Sequence, residues 1–124
     1  MVRTRTMALL LLAAGATGHA ATQQSSAAIT RTLVADNGRF GGCMVALDVD
    51  LRGDLGLDCD SNWVTFSCAG VHTDAATAQR MLDSALVAFV TDRMVRVWVT
   101  DEKKHDGHCY ATRIDMLRTS VPAN

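Results

Sequence analysis

Four cysteines, Cys43, Cys59, Cys68 and Cys109, lie downstream of an N-terminal stretch built like an export signal. That combination constrains the chain more than any other feature. Thiols of an exported protein meet an oxidising compartment, so an even count of four reads as two disulfides. The signal has three parts. Met1–Thr6 carries Arg3 and Arg5 and no acid, Met7–Gly15 (MALLLLAAG) is an apolar run, and Gly18-His19-Ala20 puts small residues where a signal peptidase reads. A membrane-spanning helix needs roughly 20 apolar residues, and this run is about half that. No lipid-anchoring cysteine follows it, and the later apolar stretches are broken by charge. Residues 1–20 are therefore read as a leader, with no stable membrane anchor and a secreted or periplasmic destination.

Without such a leader the 124-residue chain retains about a hundred residues, enough for one domain. A core of that size gains from cross-links, each adding ~2–4 kcal/mol. The formal net charge is −1, from 12 Lys+Arg and 13 Asp+Glu, and losing Arg3 and Arg5 makes it −3. No basic patch is dense enough to hold a phosphate backbone, so no nucleic-acid partner is expected. Apolar residues make up 48% of the chain against a single proline, which argues for a folded body. The exception is 21–28, where the polar run TQQSSAA reads as a flexible lead-in. The single domain is placed at 29–119, with a short tail at 120–124.

Within that domain, Ile29–Ala35 (ITRTLVA) alternates apolar and polar residues as a strand does, and Asp36-Asn37-Gly38 supplies turn chemistry. Gly41-Gly42 admits a bend before a second strand, Cys43–Val49. Leu51–Ser61 reads as a glycine- and aspartate-rich loop, and Trp63–Cys68 as a third strand. Thr73 can cap a helix from Asp74 to about Val90, with Ala78, Met81, Leu82, Ala85, Leu86 and Phe89 on one apolar stripe. Met94–Thr100 (MVRVWVT) is a fourth strand, with Val95, Val97 and Val99 on one face and Arg96 and Trp98 on the other. Asp101–Gly107 reads as a charged loop and Cys109–Met116 as a fifth strand.

The expectation is thus mainly β with one helix, in the order β-β-β-α-β-β. One amphipathic helix cannot cover both faces of a flat sheet, but it can plug the end of a small barrel of five strands. That is the oligonucleotide/oligosaccharide-binding (OB) barrel. In it the second and third strands are antiparallel neighbours and the third and fifth are parallel. This favours Cys43–Cys68 with Cys59–Cys109; the competing connectivity is Cys43–Cys59 with Cys68–Cys109.

Several constellations invite a chemical reading. His105-x-x-His108, with Asp101 and Asp106, has a metal-like spacing, and His105, His108 and Asp106 form the alternative ligand set for a small metal protein or enzyme. An oxidised Cys109 would leave that set thin, so no metal or other cofactor is assigned. Asp48-x-Asp50-x-Arg52-Gly53-Asp54 starts like a calcium loop, but Arg52 and Cys59 stand where oxygen ligands belong. No serine sits in a nucleophile-elbow motif, and no phosphate-cradling glycine loop is present. An aromatic beside an arginine suits stacking on a sugar or contact with another protein. Arg96, Trp98 and Tyr110 are accordingly the candidate contact residues.

Met81–Val99 (MLDSALVAFVTDRMVRVWV) resembles the helix-then-strand segment of OB-fold B subunits from bacterial A–B toxins, in the subtilase-cytotoxin and pertussis-like branch. WVTFSC, RMLDSAL and KKHDGHCYATRID also resemble segments of a group of short exported bacterial proteins with no assigned activity. The toxin resemblance implies a non-catalytic B-subunit-like module that binds a cell-surface glycan or protein and assembles as a homo-oligomer. It covers the helix and one strand, and carries over no sugar-contacting residue. A structural envelope or inhibitor protein is the remaining alternative.

Overall fold

The computed structural model describes residues 21–120, so the leader expected at 1–20 and most of the tail expected at 120–124 lie outside the described residues. Six strands and one helix follow one another as β1 (Thr22–Ala27), β2 (Ile29–Val34), β3 (Cys43–Leu47), β4 (Trp63–Thr65), α1 (Ala75–Val90), β5 (Arg93–His105) and β6 (His108–Ser120). They form one mixed sheet in the order β1-β5-β6-β4-β3-β2. Only β4 and β6 run parallel; the other neighbours are antiparallel. The ladder is open, because β1 and β2, its two edges, do not pair with each other. They are nonetheless consecutive in the chain, on either side of Ala28.

Strand β1 corrects the expected lead-in at 21–28. Thr22–Ala27 pairs residue for residue with β5, from Thr22 opposite Thr100 to Ala27 opposite Val95. Its polar side chains face solvent at an edge, so backbone pairing carries the strand and no apolar alternation announces it. Both ends are tied down by carboxylates. Asp101 Oδ1 accepts the Ala21 N–H at 2.7 Å, and Asp48 Oδ1 accepts the Ala28 N–H at 2.8 Å.

The charged loop expected at Asp101–Gly107 is also absent. Strand β5 continues to His105, and β6 begins at His108 after a two-residue turn. Asp106 and Gly107 both have positive φ, 51° and 82°, as the tightest hairpin turn demands, and Asp-Gly supplies it.

The helix follows its pattern with two adjustments. Asp74, rather than Thr73, is the N-cap, its carboxylate accepting the Thr77 N–H at 2.9 Å. Ala78, Met81, Leu82 and Ala85 are buried as the stripe requires, and Ala88 joins them, while Phe89 lies at the helix end and is exposed. Opposite the helix, Val95, Val97 and Val99 point inward and are fully buried with Val45, Val64, Phe66, Leu51 and Leu57. Burial of each large aliphatic or aromatic side chain here is worth ~1.5–3 kcal/mol.

Two disulfides cross-link this core. Cys43 at the start of β3 bonds Cys68, just past β4, with Cα atoms 5.6 Å apart. Cys59 bonds Cys109 in β6 at a Cα separation of 5.5 Å. Antiparallel β3–β4 brings the first pair together, and parallel β4–β6 the second.

Candidate functional site

Arg96, Trp98 and Tyr110 are the expected contact residues, and the structure separates them. Arg96 is exposed and Trp98 is half-buried, both pointing away from the valine core. Tyr110 is buried. It sits opposite Thr100 and Thr65 in the sheet, but the connection from β4 to α1 folds across that row. The His72 ring packs 5.4 Å from the Tyr110 ring. Tyr110 is thus a covered residue, which corrects its assignment as a surface contact.

Around Trp98 the structure assembles partners that were not expected. Arg113 lies opposite it on β6, with the guanidinium carbon 4.2 Å from the ring centroid. Asp115 holds that guanidinium with two hydrogen bonds of 2.9 Å, from Nε and from Nη2. The same bonds push the Arg113 pKa further up, so the cation is permanent. Arg96 stands opposite Asp115 in register, but both Asp115 oxygens are taken by Arg113. Among the described residues Arg96 has no ion-pair partner. The result is an indole with a fixed cation against it and a second cation beside it. Such a surface can stack on the flat apolar face of a ligand and donate hydrogen bonds to its oxygens.

Arg113 and Asp115 were hidden by the strand register. Counting outward from the Asp106-Gly107 turn would set Trp98 opposite Asp115. Register shifts on β5 between Thr100 and Lys104 and between Trp98 and Val99 move Arg113 there instead.

The turn residues His105, His108 and Asp106 are brought close in chain but diverge in partner. His105 Nε2 meets Ser67 Oγ at 3.0 Å, His108 Nδ1 meets Ser61 Oγ at 3.1 Å, and Asp106 Oδ2 accepts the Phe40 N–H at 2.8 Å. Among the described residues no three histidine, cysteine or acidic side chains gather as a metal would need. The calcium-like segment is likewise spent on its own loop. Asp48 holds Ala28, Asp50 Oδ1 accepts the Arg52 and Gly53 N–H groups, and Asp54 Oδ2 accepts the Asp50 N–H.

Ser67 lies in no nucleophile motif of the sequence, but its surroundings are distinctive. Its φ is +62°, and its hydroxyl touches His105 Nε2 while accepting the His72 N–H at 3.0 Å. A serine against an imidazole nitrogen is the start of a nucleophilic pair. Here the serine is fully buried, and among the described residues no carboxylate engages the far nitrogen of His105. A Cβ on Gly41 would fall 2.4 Å from Thr65 Oγ1 and 2.6 Å from His105 Cδ2, so backbone seals the group from above. The arrangement fastens three segments together. A separate open cleft of about 590 Å³ is lined by Asp50, Arg52, Cys59, Asp60, Ser61 and Asn62, with no aromatic wall.

Comparison with protein-family models, curated proteins and solved structures finds no match to this chain.

Proposed function

We propose that the protein is an exported, non-catalytic binding module that recognises a glycan or protein partner through the Trp98 surface. The observation that carries this reading is the Trp98–Arg113–Asp115 stack. A large aromatic is left half-exposed while two hydrogen bonds fix the cation beside it, so the surface is ordered before any ligand arrives. Arg96 adds a donor with no competing ion-pair partner among the described residues. Two disulfides fit a destination outside the reducing cytoplasm. No helix among the described residues is long and apolar enough to cross a membrane.

The proposal includes an OB-like barrel. What supports it is the order of the strands. Counting β1 and β2 as one strand bent at Ala28 leaves five, running first, fourth, fifth, third, second and back to first. The helix sits between the third and fourth, where an end plug belongs. The B-subunit resemblance adds assembly with copies of itself, for which exposed Val87 and Val90 on α1 offer apolar surface. A small enzyme or metal protein at the His105/His108 turn has no comparable support, since each of those rings is bonded to a serine.

The test is binding of purified, oxidised protein to a glycan array and to a panel of cell-surface and envelope proteins, beside Trp98→Ala. Loss of binding at least about tenfold, with unchanged far-UV CD, is expected for a central aromatic anchor. Equal binding by the variant removes the proposal.

A further inference from the structure

We propose that His72 and His105 form an acid-released cover over Tyr110: protonation of both rings drives the Ala69–Thr73 segment off the sheet and uncovers the tyrosine. The two imidazole centroids lie 4.4 Å apart, tilted by 44°. His72 Nε2 lies 3.0 Å from the Lys104 carbonyl oxygen, which can only accept, so that nitrogen carries the ring's proton in the neutral state. Protonation of His72 therefore adds its second proton at Nδ1. His105 meets Ser67 through Nε2, so its second proton goes to one or other nitrogen of a half-buried ring beside another cation. Two imidazolium rings at this distance repel.

The segment is built to yield at this point and not elsewhere. It is anchored before Ala69 by the Cys43–Cys68 disulfide and after Thr73 by the Asp74 cap of α1. Between them it is held by the Ala69 N–H on Gly41 O, the Gly70 N–H on Ser67 O and the two His72 bonds. Val71 is exposed and adds no packing. The charged and titratable surroundings do not compensate two new charges. Asp106 next to His105 favours its protonation, but one of its oxygens is already committed to the Phe40 N–H. Lys104 is a cation held by Asp58, β6 presents the Tyr110 phenol, and the 39–42 turn presents the backbone of Gly41. Burial, with His72 second, keeps His105 below the ordinary histidine range, so the cover is closed at neutral pH. The device stands whether or not the Trp98 surface binds anything. Its consequence is that the row of β6 containing Tyr110 becomes accessible only in acid.

Tyr110 is the only tyrosine of the chain, which makes it its own reporter. Hydroxyl-radical footprinting of the purified, oxidised protein at about pH 7.5 and about pH 5 brackets the histidine range. Modification of Tyr110 should rise about threefold or more in acid as the open population grows. His105→Gln, which keeps a donor for Ser67 but cannot charge, and His72→Phe, which keeps a ring over Tyr110, should each abolish that rise. Ring-proton NMR of the wild type needs no variant: Tyr110 signals should shift in step with those of His72 and His105. Unchanged Tyr110 labelling across the pH range overturns the proposal, as does a rise that survives both substitutions or a Tyr110 ring that stays fixed while both histidines titrate.

Discussion

Arg113 packs over Trp98 with its guanidinium carbon 4.2 Å from the ring centroid, and Asp115 grips the same guanidinium through both carboxylate oxygens. All three side chains sit on the solvent side of β5 and β6, where such a network contributes little to folding. Asp115→Asn should therefore leave Tm essentially unchanged while weakening the binding proposed for the Trp98 surface several-fold, because Arg113 is no longer fixed. Thermal melts beside the array assay separate the two effects. A large drop in Tm would assign the network a structural role instead.

Gly41 is a position that tolerates no added side-chain volume without a shift of its neighbours. Its φ is +75°, and a Cβ would collide with Thr65 Oγ1 and the His105 ring. Gly41→Ala should destabilise by more than ~1–2 kcal/mol, combining left-handed strain with the collision. Gly56 also has positive φ, +67°, but a Cβ there meets nothing within 4 Å. Gly56→Ala should cost only the strain, ~1 kcal/mol, and urea unfolding of the two variants gives the comparison.

Loop closure predicts that the two disulfides are unequal. Cys59–Cys109 spans 50 residues and Cys43–Cys68 spans 25. On the chain-entropy model these are worth ~4 and ~3.5 kcal/mol. Replacing Cys59 and Cys109 together by serine should lower stability at least as much as replacing Cys43 and Cys68, as chemical denaturation will reveal. Loss of both should leave the protein unfolded at physiological temperature.

Stability should fall with acid in two separate steps. The folded His105 pKa is lowered from 6.5, by burial first and His72 next, so the neutral ring stabilises the fold fully above 6.5. As pH falls below that value the unfolded chain takes the proton first, and the contribution is lost. Asp74, held down mainly by Thr77, and Asp101, held down mainly by the Asp58 N–H, are lowered from 3.8. Their contributions persist above 3.8 and disappear as pH drops through the folded values. Urea midpoints measured against pH should show both steps, and His105→Gln should flatten the first while leaving the second.

What the sequence made legible is what local periodicity controls. Val95, Val97 and Val99 alternate, Ala78, Met81, Leu82 and Ala85 recur at helical steps, and each set is buried as its spacing demands. Strand β1 escaped because an edge strand paired through its backbone needs no apolar side chains, and TQQSSA has none until Ala27. The hairpin was legible in Asp106-Gly107, but the run of charges in Asp101–His105 looked like loop. Tyr110 is a candidate contact residue by its chemistry alone, yet it is buried, and the ring that packs on it belongs to His72, 38 residues away in sequence. Arg113 reaches Trp98 only because β5 and β6 slip in register, and no pattern in either strand announces a slip.

The proposed export, the stapled sheet and the fixed outer surface all rest on both cross-links being present in the protein. Non-reducing peptide mapping by mass spectrometry, on protein recovered from its native compartment, tests this directly. The prediction is two linked species, Cys43 with Cys68 and Cys59 with Cys109, and no alkylatable thiol. Four free thiols, or Cys43 joined to Cys59 and Cys68 to Cys109, would contradict it.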